Sequence, residues 1–217
     1  MVTHNLPRLF DLLLATYGPR HWWPARSVPA MMAGAILVQN TAWTGAAKAV
    51  ARLEQEGALN SWTGLLATPE PQLWEWIRPA GYFRVKSQRL LALARFMESF
   101  GDHEQLFRLE TAPLRTALLG VSGVGKETAD SILCYAAKRP VFVVDAYTRR
   151  IFGRIGWTDP QADYDTLQQF VMQILPEDVD LLGEMHALLV EHAKTRCRTK
   201  PRCSDCPVSF CAERHAV

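Results

Sequence analysis

The 217 residues contain no stretch near the roughly 18 uninterrupted apolar positions of a membrane-spanning helix. The apolar run from Leu9 to Ala15 is broken by Asp11, preceded by Arg8 and followed by no small-residue cleavage site. It reads as an amphipathic helix and not as a signal segment. A soluble, cytoplasmic protein with no membrane partner is the expectation. Charge of one sign is also lacking: a formal net charge of +2 makes no global field, so any polyanion has to be met by a local basic patch. Alternating strand patterns are scarce, and no low-complexity linker divides the chain. Cysteine is nearly absent outside one place, since four of the five crowd into "CRTKPRCSDCPVSFC". Thiols that close together suit a metal or a cluster better than a secreted disulfide framework.

What is present is helical period and helix punctuation. Hydrophobic residues make up 48% of the chain, enough for the core of one large domain or two interleaved smaller ones. Apolar residues recur at three and four through "PAMMAGAILVQNTAWTGAAKAVARL", and "PEPQLWEWIRPAGYF" opens on prolines and stops at Pro79 and Gly81. "PVFVV", residues 140–144, is the best strand candidate, though a short apolar run can equally be a buried connector. The expected fold class is all-α, with a boundary near Lys138 to Pro140.

"GVSGVGKETADSIL", residues 120–133, fits the first seven positions of a phosphate-binding P-loop through Gly120, Gly125 and Lys126, but Glu127 stands where a magnesium-binding hydroxyl is needed. A P-loop also follows a buried strand, whereas "ETAPLRTALL" before Gly120 reads as a helix entered through Pro113. Helix, tight Gly-x-Gly turn and second helix is therefore the better local structure. Such a turn points the first N–H groups of its second helix outward, with the helix dipole behind them, which is a sequence-blind grip on phosphate.

That segment, followed after a short gap by "VVDAYTRRI", resembles the helix-hairpin-helix and Gly/Pro-rich loop with its aspartate that define the endonuclease III superfamily of DNA glycosylases. "GAILVQNTAW", "GYFRVKSQRL" and the terminal cysteines fall in the family's order, so the likeness covers nearly the whole chain. It implies a two-domain fold: a six-helix domain over residues 26–139, and a second domain from residues 1–25 and 140–217. It also implies a DNA-binding cleft between them, damaged double-stranded DNA as partner, and association with the nucleoid while at work; oligomeric state is unconstrained, and a monomer is the default. Gly123, Gly125 and Lys126 of the hairpin would contact DNA. Gln39 and Tyr82 match the family's residues that plug the space left by a flipped base.

In bifunctional members of the family a lysine two residues beyond the last hairpin glycine attacks the sugar. Here that position is Glu127, and a carboxylate forms no imine. Lys126 is one step, about 100°, away around the helix. The chemistry left is hydrolytic, with Asp145 stabilising an oxocarbenium-like transition state or orienting water, and Glu127 nearby. Asp145 precedes "AYTRRIFGRI" and is also an ideal helix N-cap. "HWWPARS" places Trp22, Trp23 and Pro24 in a row, and Trp43 follows "QNT". Aromatic walls suit a flipped base, above all a cationic alkylated purine. Together these segments resemble the monofunctional 3-methyladenine glycosylase branch, which implies Trp22, Trp23, Pro24 and Trp43 as pocket residues and an abasic site as product.

Cys197, Cys203, Cys206 and Cys211 make C-x5-C-x2-C-x4-C, each outer gap one residue shorter than the family spacing. Four thiolates so spaced can hold a 4Fe-4S cluster or a tetrahedral zinc, with the cluster as the family expectation. Arg198, Lys200 and Arg202 lie among them, with Lys194 and Arg196 just ahead, and make the basic patch suited to phosphate. Cys134 sits apart as a small core residue. Other readings remain open at this level: a glycosylase of the same fold for oxidised pyrimidines or mismatched bases, a non-catalytic damage-recognising protein, and a nucleotide-binding enzyme.

Overall fold

A computed structural model describes residues 5–215, and among these the chain is all-helical, with no β-strand. In chain order the α-helices are α1 (Leu6–Tyr17), α2 (Val28–Leu37), α3 (Trp43–Gln55), α4 (Trp62–Ala67), α5 (Glu70–Ile77), α6 (Phe83–Ser99) and α7 (His103–Leu106). They continue as α8 (Thr111–Leu119), α9 (Lys126–Ser131), α10 (Ala146–Ile155), α11 (Tyr164–Met172) and α12 (Val179–Thr195). Among the described residues no helix is long and apolar enough to cross a membrane. Side-chain caps set most starts: Asn5, Ser27, Ser61, Asp102, Asp145, Asp163 and Asp178 each accept a backbone N–H from the helix that follows.

The chain divides into two compact units, a central one of residues 23–137 and a terminal one of residues 1–22 and 138–217. The core of the central unit is α2, buried at every position from Ala30 to Leu37, as a helix apolar on all sides has to be. It packs on α3, α6 and α9. The long apolar stretch around "QNT" is two helices, because the chain turns at residues 38–42, where Asn40 takes a left-handed φ of 52°.

The terminal unit packs α1 and α10 on α12. Ile151, Phe152 and Ile155 of α10 meet Leu182, Met185, Leu188 and Leu189 of α12 and Leu6, Leu9 and Leu13 of α1 in one buried cluster. Each set follows the three-and-four spacing of a single helical stripe. "PVFVV" is the buried connector and not a strand: Phe142, Val143 and Val144 are all buried, and the Phe142 carbonyl is held by Gln168 at 2.7 Å. That connector delivers the chain to Asp145.

Candidate functional site

In the central unit an aromatic group gathers three segments distant in sequence. The Trp23 and Trp43 rings stand edge to face with centroids 5.1 Å apart, and Tyr135 lies 5.5 Å from Trp23. Trp23 reaches this place because residue 34 is glycine: a β-carbon there would stand 3.3 Å from the indole Nε1. Trp23 and Trp43 are half-buried and Pro24 is exposed, while Trp22 belongs to the terminal unit. Tyr135 was not anticipated from sequence. The helix after Ser131 widens into a π turn over Ile132–Ala136, burying four consecutive side chains, Ile132 to Tyr135, where a regular α-helix would turn some outward.

The 120–133 segment is the helix–turn–helix expected. Gly123 is required twice over, by a φ of 87° and because any β-carbon would collide with the Arg89 side chain packed beneath it. Arg115 of α8 grips the fully buried Asp130 of α9 with two hydrogen bonds, at 2.6 and 3.0 Å, pinning the two helices together. Gly125, Lys126 and Glu127 stand exposed at the start of α9.

Gln39 is half-buried, and its amide is fully engaged. Nε2 donates to the Gly123 carbonyl at 3.0 Å and to Thr128 Oγ1 at 2.9 Å, and Oε1 accepts from Arg89. Tyr82 differs: its ring is 72% exposed on a left-handed backbone with φ 46°.

In the terminal unit Asp145 caps α10. Its Oδ1 accepts from the Thr148 N–H at 2.7 Å and the Thr148 hydroxyl at 2.9 Å, and Oδ2 faces His186 Nε2 at 3.7 Å. The carboxylate is 12% exposed. Burial pushes its pKa up, but His186 and the two Thr148 donors outweigh that and hold the group below the ordinary 3.8, so it is ionised at neutral pH. His186 was missed from sequence because it occupies the buried stripe of α12, four residues from Leu182; the signal was a polar group at an apolar register position.

Cys197, Cys203, Cys206 and Cys211 line one cavity, together with Arg154, Arg196 and Arg202. Arg150 and Arg154, one turn apart on α10, fasten the cysteine loop by donating to the carbonyls of Cys197, Arg198 and Thr199 at 2.6–3.0 Å. The helix that Asp145 caps is thus tied to the loop that carries the thiols. His192 lies 3.9 Å from Cys206 Sγ and bonds Tyr17 at 2.9 Å; burial, with Arg196 beside it, lowers its pKa to about 4. Among the described residues no three His, Cys, Asp or Glu side chains converge as a single metal ion requires. Arg198, Lys200 and Arg202 are exposed.

The structure thus sets out a capped, ionised carboxylate in the terminal unit, and a glycine-turned helical hairpin and an aromatic group in the central unit. Residues 33–177 match the HhH-GPD superfamily of base excision DNA repair proteins, and the chain belongs to that family. A Methanocaldococcus jannaschii protein provisionally named as a DNA repair glycosylase is 42% identical over 95% of this chain and 96% of its own. Among solved structures, the H. pylori 3-methyladenine DNA glycosylase bound to 1,N6-ethenoadenine is 30% identical over 87% of this chain and 95% of its own, with a TM-score of 0.73. An endonuclease III–DNA covalent intermediate superposes over 100% of this chain and 99% of its own at a TM-score of 0.84 and 20% identity, a likeness of fold. The protein is a DNA repair glycosylase.

Proposed function

We propose that the enzyme is a monofunctional N-glycosylase that removes alkylated purines such as 3-methyladenine from double-stranded DNA, as a monomer, and leaves an abasic site uncut. The observation that carries this reading is the Trp23–Trp43–Tyr135 group. A purine methylated at N3 or N7 carries positive charge, and rings that face it add cation–π attraction to stacking. The same charge weakens the glycosidic bond, because the base leaves neutral and needs little acid catalysis. Exposed Pro24, next to Trp23 in the chain, and Trp22 are further candidates for the base pocket by the sequence resemblance.

Asp145 acts on the sugar. An ionised carboxylate stabilises positive charge developing at C1′ and orients the attacking water, and the Thr148 and His186 contacts hold it in one rotamer. The bond from C1′ to the base nitrogen breaks with its electron pair leaving on the base, which departs neutral, while water supplies the new oxygen and gives up one proton to solvent. Glu127, exposed at the head of α9, offers no amine for an imine, so the sugar is not captured covalently. Gly123, Gly125 and Lys126 at the hairpin, and Arg198, Lys200 and Arg202 at the cysteine loop, are the phosphate contacts of this reading.

The four cysteines fit a 4Fe-4S cluster. They line one cavity together with arginines that would balance the negative charge of a thiolate-bound cluster. When bound, such a group would cross-link the loop and hold its basic residues in place. Iron and acid-labile sulfide in equal amounts, and no zinc, is the expected analysis of purified protein.

The reading is tested by incubating methylated duplex DNA with the enzyme and resolving the released bases. Free 3-methyladenine is expected; no base released from that duplex, with release from a parallel duplex carrying oxidised pyrimidines, would overturn the substrate assignment. A duplex carrying 1,N6-ethenoadenine, the base bound by the H. pylori relative, probes how far the pocket extends.

A further inference from the structure

Lys86 is 2% exposed, in the apolar stripe of α6 that continues through Leu90, Leu93 and Met97. Its ammonium donates to the Leu37 carbonyl at 2.8 Å and to the Ala80 carbonyl at 2.7 Å. Burying a cation is costly, and methionine would fill the same stripe without that cost. Burial, with Arg89 nearby, lowers the lysine's pKa to about 8.

The two acceptors explain what the lysine does. Leu37 ends α2 and opens the turn that carries Gln39 and Asn40; Ala80 ends the turn that leads through Gly81 to Tyr82. Each turn contains an exposed, non-glycine residue in the left-handed region, Asn40 at φ 52° and Tyr82 at φ 46°. Such conformations persist where the surroundings over-determine them. One turn further along α6, Arg89 holds Gln39, whose amide holds the hairpin through Gly123 and Thr128. A single helix face therefore joins both turns and the hairpin, through the buried Lys86 and the half-buried Arg89.

We propose that Lys86 is the positioning residue of the DNA wedge: by binding both turns at once, it holds the Tyr82 ring outward, ready to enter the duplex where a base has left. This rests on the proposed function, since it assumes that the enzyme opens damaged DNA. Lys86 itself touches neither DNA nor the reacting atoms. Its ammonium is occupied by two carbonyls, so it is no candidate for attack on the sugar.

The test uses a duplex with a tetrahydrofuran abasic analogue opposite 2-aminopurine, whose fluorescence rises when it is unstacked. No base is released from this duplex, so the readout is independent of glycosylase activity, and absence of 3-methyladenine release would strike the proposed function without touching this measurement. The intact chain should raise the fluorescence. Lys86→Met should cut that rise by about fivefold or more, with affinity for undamaged duplex held within about twofold, because phosphate contacts and not insertion set non-specific binding. Tyr82→Ala should give the same loss, and the double variant no more than either alone. If Lys86→Met does not fold, Lys86→Gln, with two N–H donors on a shorter stem, is measured in its place. A full fluorescence rise in the folded lysine variant, an additive double variant, or no rise with the intact chain would each overturn the proposal.

Discussion

In the central unit the groups proposed to recognise DNA are rings and turns: Trp23, Trp43, Tyr135, the left-handed Tyr82 and the glycine hairpin. In the terminal unit the group proposed to react is one carboxylate, Asp145, set by a threonine, a histidine and the N-terminus of α10. Recognition is supported from beneath by buried and part-buried polar links, Lys86, Arg89 and the Arg115–Asp130 pair, that fix backbone shape. Chemistry is supported by electrostatic tuning of a single group. Damage to the first unit should therefore disturb binding and stability, and damage at Asp145 should stop the reaction while binding survives.

The largest effect sharpens that contrast. Asp145→Asn should lower the excision rate by about 10²–10³-fold, the usual range for loss of one positioned electrostatic stabiliser. Affinity for an abasic-analogue duplex should change little, as read by gel shift. Parallel loss of binding would break the comparison. In the central unit, Asp130→Ala removes the fully buried carboxylate gripped by the partly exposed Arg115 and should cost about 1–3 kcal/mol in a denaturant titration. Equal stability would mean that the hairpin does not depend on its buried pair.

Trp43→Ala removes one side of the aromatic group. Its kcat/KM for a cationic alkylpurine should fall by roughly 10-fold or more, equivalent to about 1–2 kcal/mol of cation–π attraction, and by less for neutral ethenoadenine. Equal losses would point to general packing.

The smallest expected effect is a shift in pH dependence. Asp145 is held below 3.8 in the native state, so its contribution to stability is complete above that value and is lost as pH falls through the lower native pKa. His186→Ala removes the largest influence that lowers it, and burial then pushes the pKa upward. The acid limb of stability and of excision should move to higher pH in the variant. An unmoved limb would show that Thr148 alone sets the carboxylate.

The hairpin was legible in the sequence because glycine spacing after a proline-entered helix has few structural solutions. Asp145 was legible as a cap, and its neighbourhood to the cysteine loop was not, because Arg150 and Arg154 act through carbonyls forty or more residues away. "PVFVV" satisfied strand composition, but no partner strand exists among the described residues, and its extended backbone is held by Gln168. Lys86 and His186 stayed hidden for one shared reason: each occupies an apolar stripe, where a polar residue reads as a tolerated exception. Tyr135 depended on a π turn that no helical wheel contains. Gln39 was read as a residue that plugs the space left by a flipped base; its engagement with Arg89 and Gly123 is a tertiary fact, spanning up to 84 residues, that the sequence does not show.

The most direct test of the account is base release from methylated duplex DNA, with strand scission scored in the same tube before and after alkali. The account predicts free 3-methyladenine, with breaks that form only after alkali treatment. Strand breaks without alkali would contradict it, since an amine would then be forming the imine that Glu127 cannot.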